Sequence, residues 1–315
     1  MAKLQSTEII GVANRPAVIC ADTVCLWFNT TIKQLVFSYS GFSGSWSAGN
    51  ALITARGYLA GAGTQNAGLA IGGYNGSILS CTEEYDGTSW SAGGALSIAR
   101  YRLGGAGTQS VGLVFGGRNP GALSCTEEYD GTSWLAGGAL IIARFGPASA
   151  GTQDAGLAFG GFVNNSSTCT EEYNGTSWST GGALISSRHN LAGAGTQNAG
   201  LAFGGTFPNG DCTEEYNGTT WLTGGALIIG REGTGTGTQN EGLFIGGIVT
   251  NTGVSCTEEY DGASWSVGGA MIVARHTLAG AGTQSAGLAI GGYMNNGVSC
   301  TEEYTKTITI VDSIR

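Results

Sequence analysis

The chain has 315 residues, 58 of them glycine and only 4 proline, with 11% charged residues and a formal net charge of −9. An ordinary domain carries ~25% charged residues; one this acidic, without a basic stripe, excludes nucleic acid as a partner, because a phosphate backbone has to be neutralised. No apolar run approaches the ~20 residues of a membrane span, so membrane insertion is not expected.

The opening MAKLQSTEII has neither the basic nor the apolar region of a secretory signal, which predicts synthesis in a cytoplasm. Residues 1–40 then form a β-type extension of their own, expected to serve attachment or partner docking and containing Cys20 and Cys25. From Trp46 the character changes. One sentence is written repeatedly, as in CTEEYDGTSWSAGGALSIARYRLGGAGTQSVGLVFGG from Cys81 and CTEEYNGTSWSTGGALISSRHNLAGAGTQNAGLAFGG from Cys169. Its cysteines, Cys81, Cys125, Cys169, Cys212, Cys256 and Cys300, recur every 43 or 44 residues. A period this regular means one supersecondary unit stacked on copies of itself.

The unit following Arg100 reads as four short strands. LGGAGTQ is a first strand closed by a turn at Thr108-Gln109-Ser110, and VGLVF a second, stopped by Gly116-Gly117. After the loop RNPGALS, CTEEY has period-two character: Cys125, Glu127 and Tyr129 face one way, Thr126 and Glu128 the other. Asp130-Gly131 is a hairpin signal of the type I′ kind, and Trp134 opens the fourth strand. Four antiparallel strands in 44 residues make a propeller blade. On a third strand, equivalent cysteines of adjacent blades stand farther apart than the ~7 Å a disulfide spans, so they are expected to be reduced core residues.

A Gly-Gly doublet after the second strand, Tyr on the third, Trp opening the fourth and Arg beyond it resemble the kelch repeat, over about 260 residues. The resemblance implies an all-β, six-bladed kelch-like β-propeller over residues 41–304, flanked by the extension 1–40 and a β tail 305–315. It also implies that Trp46, Trp90, Trp134, Trp178, Trp221 and Trp265 pack between blades with Tyr85, Tyr129, Tyr173, Tyr216, Tyr260 and Tyr304 as structural core. The short, glycine-rich style is similar to kelch-like proteins of tailed bacteriophages and marine viruses. The stretch LWFNTT from Leu26 resembles a segment of phage fibre and other virion proteins. That likeness implies localisation in a virion, with other virion proteins as partners of residues 1–40 and of the tail.

The array begins at Trp46 and ends at Tyr304, each in mid-repeat. The N-terminal strand is therefore expected to complete the last blade, which closes the ring and removes open strand edges.

Catalytic residues are not expected. The paired glutamates, such as Glu127-Glu128, point to opposite sides of a strand and cannot share a substrate as acid and base; one of each pair is expected to meet the repeat Arg or backbone amides. A Ca²⁺-binding carboxylate ring is the weaker alternative. His189 and His276 occupy one repeated slot, which is often His in kelch repeats, and do not reproduce the two-His, two-Tyr copper site of the galactose oxidase family. Neither metal nor cofactor is therefore predicted, and an oxidase of that type is the remote alternative. Variation among the copies is more informative. The GTQ and Asp/Asn-Gly turns share one face and barely change, whereas the loops after the double glycine and after the arginine share the other and differ in every copy. On that variable face stand Tyr58, Tyr74, Tyr101, Arg102, Arg118, Phe145, Phe162, His189, Phe207, His276 and Tyr293, the candidate ligand-binding residues. Aromatic and polar loops on a rigid scaffold suit recognition, here of a host surface glycan or protein. The alternative is a structural decoration or connector subunit.

Overall fold

The computed structural model describes the backbone at residues 19–21, 24–29, 34–206 and 208–314, and side chains from 44 to 307 apart from 207. Phe207 and residues 1–18, 22–23, 30–33 and 315 lie outside the described residues, so the docking role expected of the N-terminal extension falls largely outside them. The chain divides into two units, Ser45–Thr305 and a smaller one of Met1–Gly44 with Lys306–Arg315. Within the smaller, Ile19–Ala21 pairs antiparallel with Val24–Asn29, placing Cys20 opposite Cys25, and Val24–Asn29 pairs with the strand beginning at Gln34.

The larger unit is all β. Five blades each use consecutive strands, ordered as in the chain. Blade 1 comprises Ala60–Thr64, Ala67–Tyr74, Ile78–Tyr85 and Trp90–Ala92. Blade 2 comprises Gly104–Gly107, Gly112–Phe115, Thr126–Tyr129 and Trp134–Gly137. Blades 3 and 4 repeat the plan from Ala148 to Thr180 and from Ala192 to Thr223. Blade 5 runs from Glu232 to Val267 and adds a two-residue strand, Thr252–Gly253, on its second. Blade 6 is discontinuous: Ala279–Gly282, Ala286–Ile290 and Thr301–Ile314 are completed by the N-terminal strand Gln34–Gly49. This is the expected six-bladed propeller, and the expected closure of its ring.

The first strands surround the axis, and their small residues set how closely blades approach. A Cβ on Gly61 would stand 2.6 Å from the carbonyl oxygen of Gly280 in the last blade, across the seam, so glycine is required at Gly61, although blade 3 carries Ser149 in the equivalent slot. The double glycine has another cause. Gly116 and Gly117 take φ of +62° and +98°, which lets the second strand turn away while Gly117 N–H donates to the carbonyl of Arg144 at 2.9 Å.

The blade interfaces explain the fixed part of the repeat. Trp134 donates its indole N–H to Thr82 of the preceding blade at 2.9 Å, and Trp178, Trp221 and Trp265 repeat the bond on Thr126, Thr170 and Thr213. Trp90 bonds Thr301 and Trp46 bonds Thr257, both at 3.0 Å, so the N-terminal strand seats its tryptophan as every other fourth strand does. All six tryptophans and all six third-strand tyrosines are buried. Each GTQ glutamine donates to two carbonyls of the preceding blade; Gln65 does so at 3.1 Å to Gly287 and 2.8 Å to Tyr304, across the seam between first and last blades.

The two glutamates of each pair do different work. The first is buried and paired with the repeat arginine: Glu83 with Arg56, Glu127 with Arg100, Glu171 with Arg144, Glu214 with Arg188, Glu258 with Arg231 and Glu302 with Arg275. It also accepts backbone amides of the incoming linker, as Glu171 does from Ile141 at 2.7 Å and Ile142 at 3.2 Å. The second accepts from a tyrosine of the next blade, Glu84 from Tyr129 at 2.5 Å and Glu128 from Tyr173 at 2.5 Å. Burial, with the Glu84 carboxylate beside it, pushes the Tyr129 hydroxyl up to about 12, so it stays protonated and donates at any physiological pH. The six repeat cysteines are free thiols as expected, but they are half-buried rather than part of the core.

One local expectation fails. Asp130-Gly131 is no type I′ turn: Tyr129 pairs directly with Trp134, which leaves a four-residue loop, and only Gly131 has positive φ, at +90°. The Asp130 carboxylate instead accepts the amides of Thr132 and Ser133, both at 2.8 Å. Those bonds, led by Ser133, hold its pKa down to about 2. An acidic side chain able to cap the loop from within outcompetes the left-handed conformation a two-residue turn would require.

Candidate functional site

The variable residues gather at one end of the axis. The residue following each arginine bridges the residue following the same blade's double glycine: Gly57 with Tyr74, Tyr101 with Arg118, Phe145 with Phe162 and His276 with Tyr293. His189 meets Thr206 in the same way, through an amide–carbonyl bond of 3.1 Å. Two loops distant in sequence are thereby fastened into one short ribbon per blade.

The next residue inward builds a collar. Tyr58, Arg102, Gly146, Asn190 and Thr277 all adopt positive φ, between +52° and +60°. That conformation aims four of the five amides at the adjacent blade: Asn190 N–H donates to Gly146 at 2.9 Å, Gly146 to Arg102 at 2.7 Å, Arg102 to Tyr58 at 2.8 Å and Tyr58 to Thr277, which closes the series as an acceptor, at 2.8 Å. Left-handed backbone is uncommon for Tyr, Arg and Thr, and it is stored here in one ring. Blade 5 breaks the sequence with an irregularity between Glu232 and Thr234. There the link is a side chain, Asn190 Nδ2 donating to Glu232 Oε2 at 3.0 Å.

Inside the collar lies an axial cavity of about 790 Å³, with Tyr58, Arg102, Asn190, Glu232, His276 and Thr277 at its mouth and the glycine- and alanine-rich first strands as its wall. Tyr58, Arg102 and His276 of the sequence-derived set line it, whereas Tyr74, Tyr101, Arg118, Phe145, Phe162, His189 and Tyr293 stand outside, around it. None is fully exposed; all ten described members are half-buried against one another. Tyr58 packs on Tyr101 with ring centroids 6.1 Å apart and on Tyr293 at 6.0 Å, and Tyr101 on Tyr74 at 5.5 Å. Phe162 bridges Phe145 at 5.1 Å and His189 at 5.0 Å. Arg102 lies over Tyr58 at 4.8 Å and faces Phe145 at 5.9 Å; Arg118 lies over Phe145 at 5.1 Å. The result is an aromatic arc across blades 6, 1, 2 and 3, preorganised by its own packing.

The electrostatics follow from this half-burial. Desolvation lifts the Glu232 carboxyl above the ordinary carboxylate range, against the pull of Asn190 and of Arg102. Desolvation lowers His189, helped by the charge of Arg102, and lowers His276, so both imidazoles are neutral at pH 7. Among the described residues no three His, Cys, Asp or Glu side chains come together as a metal-binding group.

Asn190, Glu232 and Thr277 were not among the residues singled out in the sequence, although they occupy the same variable dipeptide as Tyr58 and Arg102. The same slot logic finds them once that dipeptide is read as a collar. Ser149, Thr234 and Thr236, also on the cavity wall, are visible as departures from the AGAG pattern of the first strand.

Six four-stranded blades around a small-residue hub, each with its double glycine and fourth-strand tryptophan, define a kelch-like β-propeller with one conserved and one individual end. Among solved structures it is similar to that of YjhT, at 13% identity and a TM-score of 0.68, over 83% of this chain and 99% of that one. At this identity the likeness concerns the fold. No protein-family model matches the sequence, and no curated protein matches it.

Proposed function

We propose that the protein is a non-catalytic binding module that recognises a host surface glycan or protein through its variable face, as a component of a virus particle. The observation that carries this reading is convergence: residues that vary among the repeats are brought to one end and packed into an aromatic arc around the cavity mouth. The opposite end keeps the same glutamine latch in every blade, and the same short loop between third and fourth strands in blades 1 to 5. Half-buried tyrosine and phenylalanine held by neighbours lose little entropy on binding, which favours affinity for a flat ligand surface. The virion assignment rests on the glycine-rich kelch style and on Leu26–Thr31, with residues 1–40 and the C-terminal tail as the attachment to other virion proteins. No helix among the described residues is long and apolar enough to cross a membrane.

A glycan array tests this reading, with Tyr101→Ala and Phe145→Ala against a turn-face control, Asn66→Ala. Binding by the parent and the control but not by the two arc variants is expected. Binding that survives both arc variants overturns it.

A structural subunit of the particle is the second reading, and one feature favours it. Ile53, Ile141, Ile185, Ile228 and Ile272, on the linkers leaving the fourth strands, each expose more than half of their surface. A ring of exposed isoleucines repeated blade after blade suits repeated contact with a neighbouring subunit.

A further inference from the structure

The chain has 13 Lys and Arg residues. Six arginines are consumed in the buried pairs with glutamate. Among the residues whose side chains are described, three cations then remain: Lys306 at the start of the terminal segment, and Arg102 and Arg118. Both arginines belong to blade 2 and both stand at the variable end, on the aromatic arc, with the ring of Phe145 facing each.

Their hydrogen bonding is incomplete. Arg118 spends Nε on the carbonyl of Pro120 at 2.9 Å. Arg102 makes no hydrogen bond or ion pair from its guanidinium among the described residues, and its Nε is buried without a partner. What holds Arg102 is the face of Tyr58, which orients the fork without using its donors. No described carboxylate pairs with either arginine: at this end the described carboxylates are Asp211 and Glu232, in blades 4 and 5, and Glu232, at the same cavity mouth, feels the charge of Arg102 but forms no ion pair with it and accepts from Asn190, while the other acids serve the blade interfaces or the opposite turns. Among the described residues, a protein of net charge −9 thus keeps the two arginines outside its buried pairs on its most individual surface, both against the ring of Phe145, with donors unspent.

Resting on the recognition reading above, we propose that Arg102 and Arg118 form a subsite for an anionic group of the ligand, the carboxylate or sulfate of an acidic saccharide whose sugar ring lies on the Tyr58–Tyr101–Phe145 arc. Guanidinium forks match planar carboxylate and tetrahedral sulfate by paired N–H donors, and a ring stacked beside them supplies apolar contact to the sugar's C–H face. The two sources of negative charge are separated by the test.

The probes are a hexameric oligogalacturonate, its fully methyl-esterified form, and a chondroitin sulfate hexasaccharide, titrated by calorimetry against the full chain. The expected result is binding of at least one charged probe, weakened at least about tenfold by esterification for the uronate, by Arg118→Gln and by Arg102→Asn. Asn is chosen at 102 because it tolerates the left-handed backbone found there. Binding of the charged probe should also weaken between 50 and 500 mM salt. The melting temperature of each variant, unchanged within about 3 °C, separates a lost contact from a lost fold. Oligogalacturonate binding that is lost on esterification identifies a carboxylate; because chondroitin sulfate carries uronate carboxylates too, sulfate is identified by chondroitin sulfate binding that is lost in its desulfated form, and a shared anion site by both results together. Equal affinity for the acid and its ester, retention of affinity in both arginine variants, or failure of both charged probes overturns the subsite. The recognition reading fails separately, if saccharide binding found on the array ignores Tyr101→Ala and Phe145→Ala.

Discussion

Replacing Glu127 by glutamine tests how the blades are locked. Arg100 is fully buried, and Glu127 is 2% exposed. One carboxylate oxygen pairs with Arg100, while the other accepts Ser97 N–H at 2.8 Å and its hydroxyl at 2.7 Å. Glutamine keeps the shape but sets an NH2 against either the guanidinium or the Ser97 N–H, which can only donate, and leaves the guanidinium charge buried without a counter-charge. Breaking a buried pair in this way costs about 3–5 kcal/mol. For the Ser45–Thr305 unit, about 260 residues, an unfolding entropy of ~2.1 cal/mol/K per residue makes each kcal/mol worth ~2 °C in Tm. A fall of about 6–10 °C in scanning calorimetry is expected. Arg100→Met added to Glu127→Gln should recover part of it, because no charge then stays buried. A fall below about 2 °C for Glu127→Gln would place the pair in the range of exposed ion pairs and refute the argument.

Two further perturbations reach other parts of the account. Trp46→Ala should cost about as much as Trp178→Ala, ~3–5 kcal/mol by denaturant unfolding, because both tryptophans fill a blade interface and bond a threonine of the preceding blade; a neutral Trp46→Ala would mean that the N-terminal strand does not close the ring. Glu232 titrates above its ordinary value in the folded chain, so folding takes up a proton there; its contribution is fully favourable below the unfolded pKa near 4.5 and is lost as pH rises through the folded value. Glu232→Gln should therefore raise Tm at pH 7.5 by a few degrees, with the gain vanishing near pH 4, and a gain of equal size at both pH values would contradict the assignment.

How much of this was legible beforehand depends on the residue. The blade count and the ring closure followed from a period of 43 or 44 residues and from an array that opens at Trp46 and stops at Tyr304, because a strand lacking its partner at each end has one economical solution. The split role of Glu127 and Glu128 was half legible: strand alternation separates their faces, but that Glu128 accepts from Tyr173 depends on the next blade's approach, which no local pattern encodes. The Asp130 loop was misread because a dipeptide signal ignores what the following Thr132 and Ser133 amides offer a carboxylate. At the candidate site, loop variation located the end at which the variable residues gather, while the collar stayed hidden. Left-handed Tyr58 and Arg102 carry no sequence signature; their conformation is imposed by the amide each delivers to the neighbouring blade.

The central claim is that recognition belongs to the variable end. Hydroxyl-radical footprinting of the chain, alone and saturated with its tightest array ligand, tests it directly, since Tyr, Phe and His report their own solvent access. The account predicts protection at Tyr58, Tyr74, Tyr101, Phe145 and Tyr293, with the exposed Val111 at the turn end and Leu135 on the fourth strand unchanged. Protection confined to the turn end, or to residues 1–40, would contradict it.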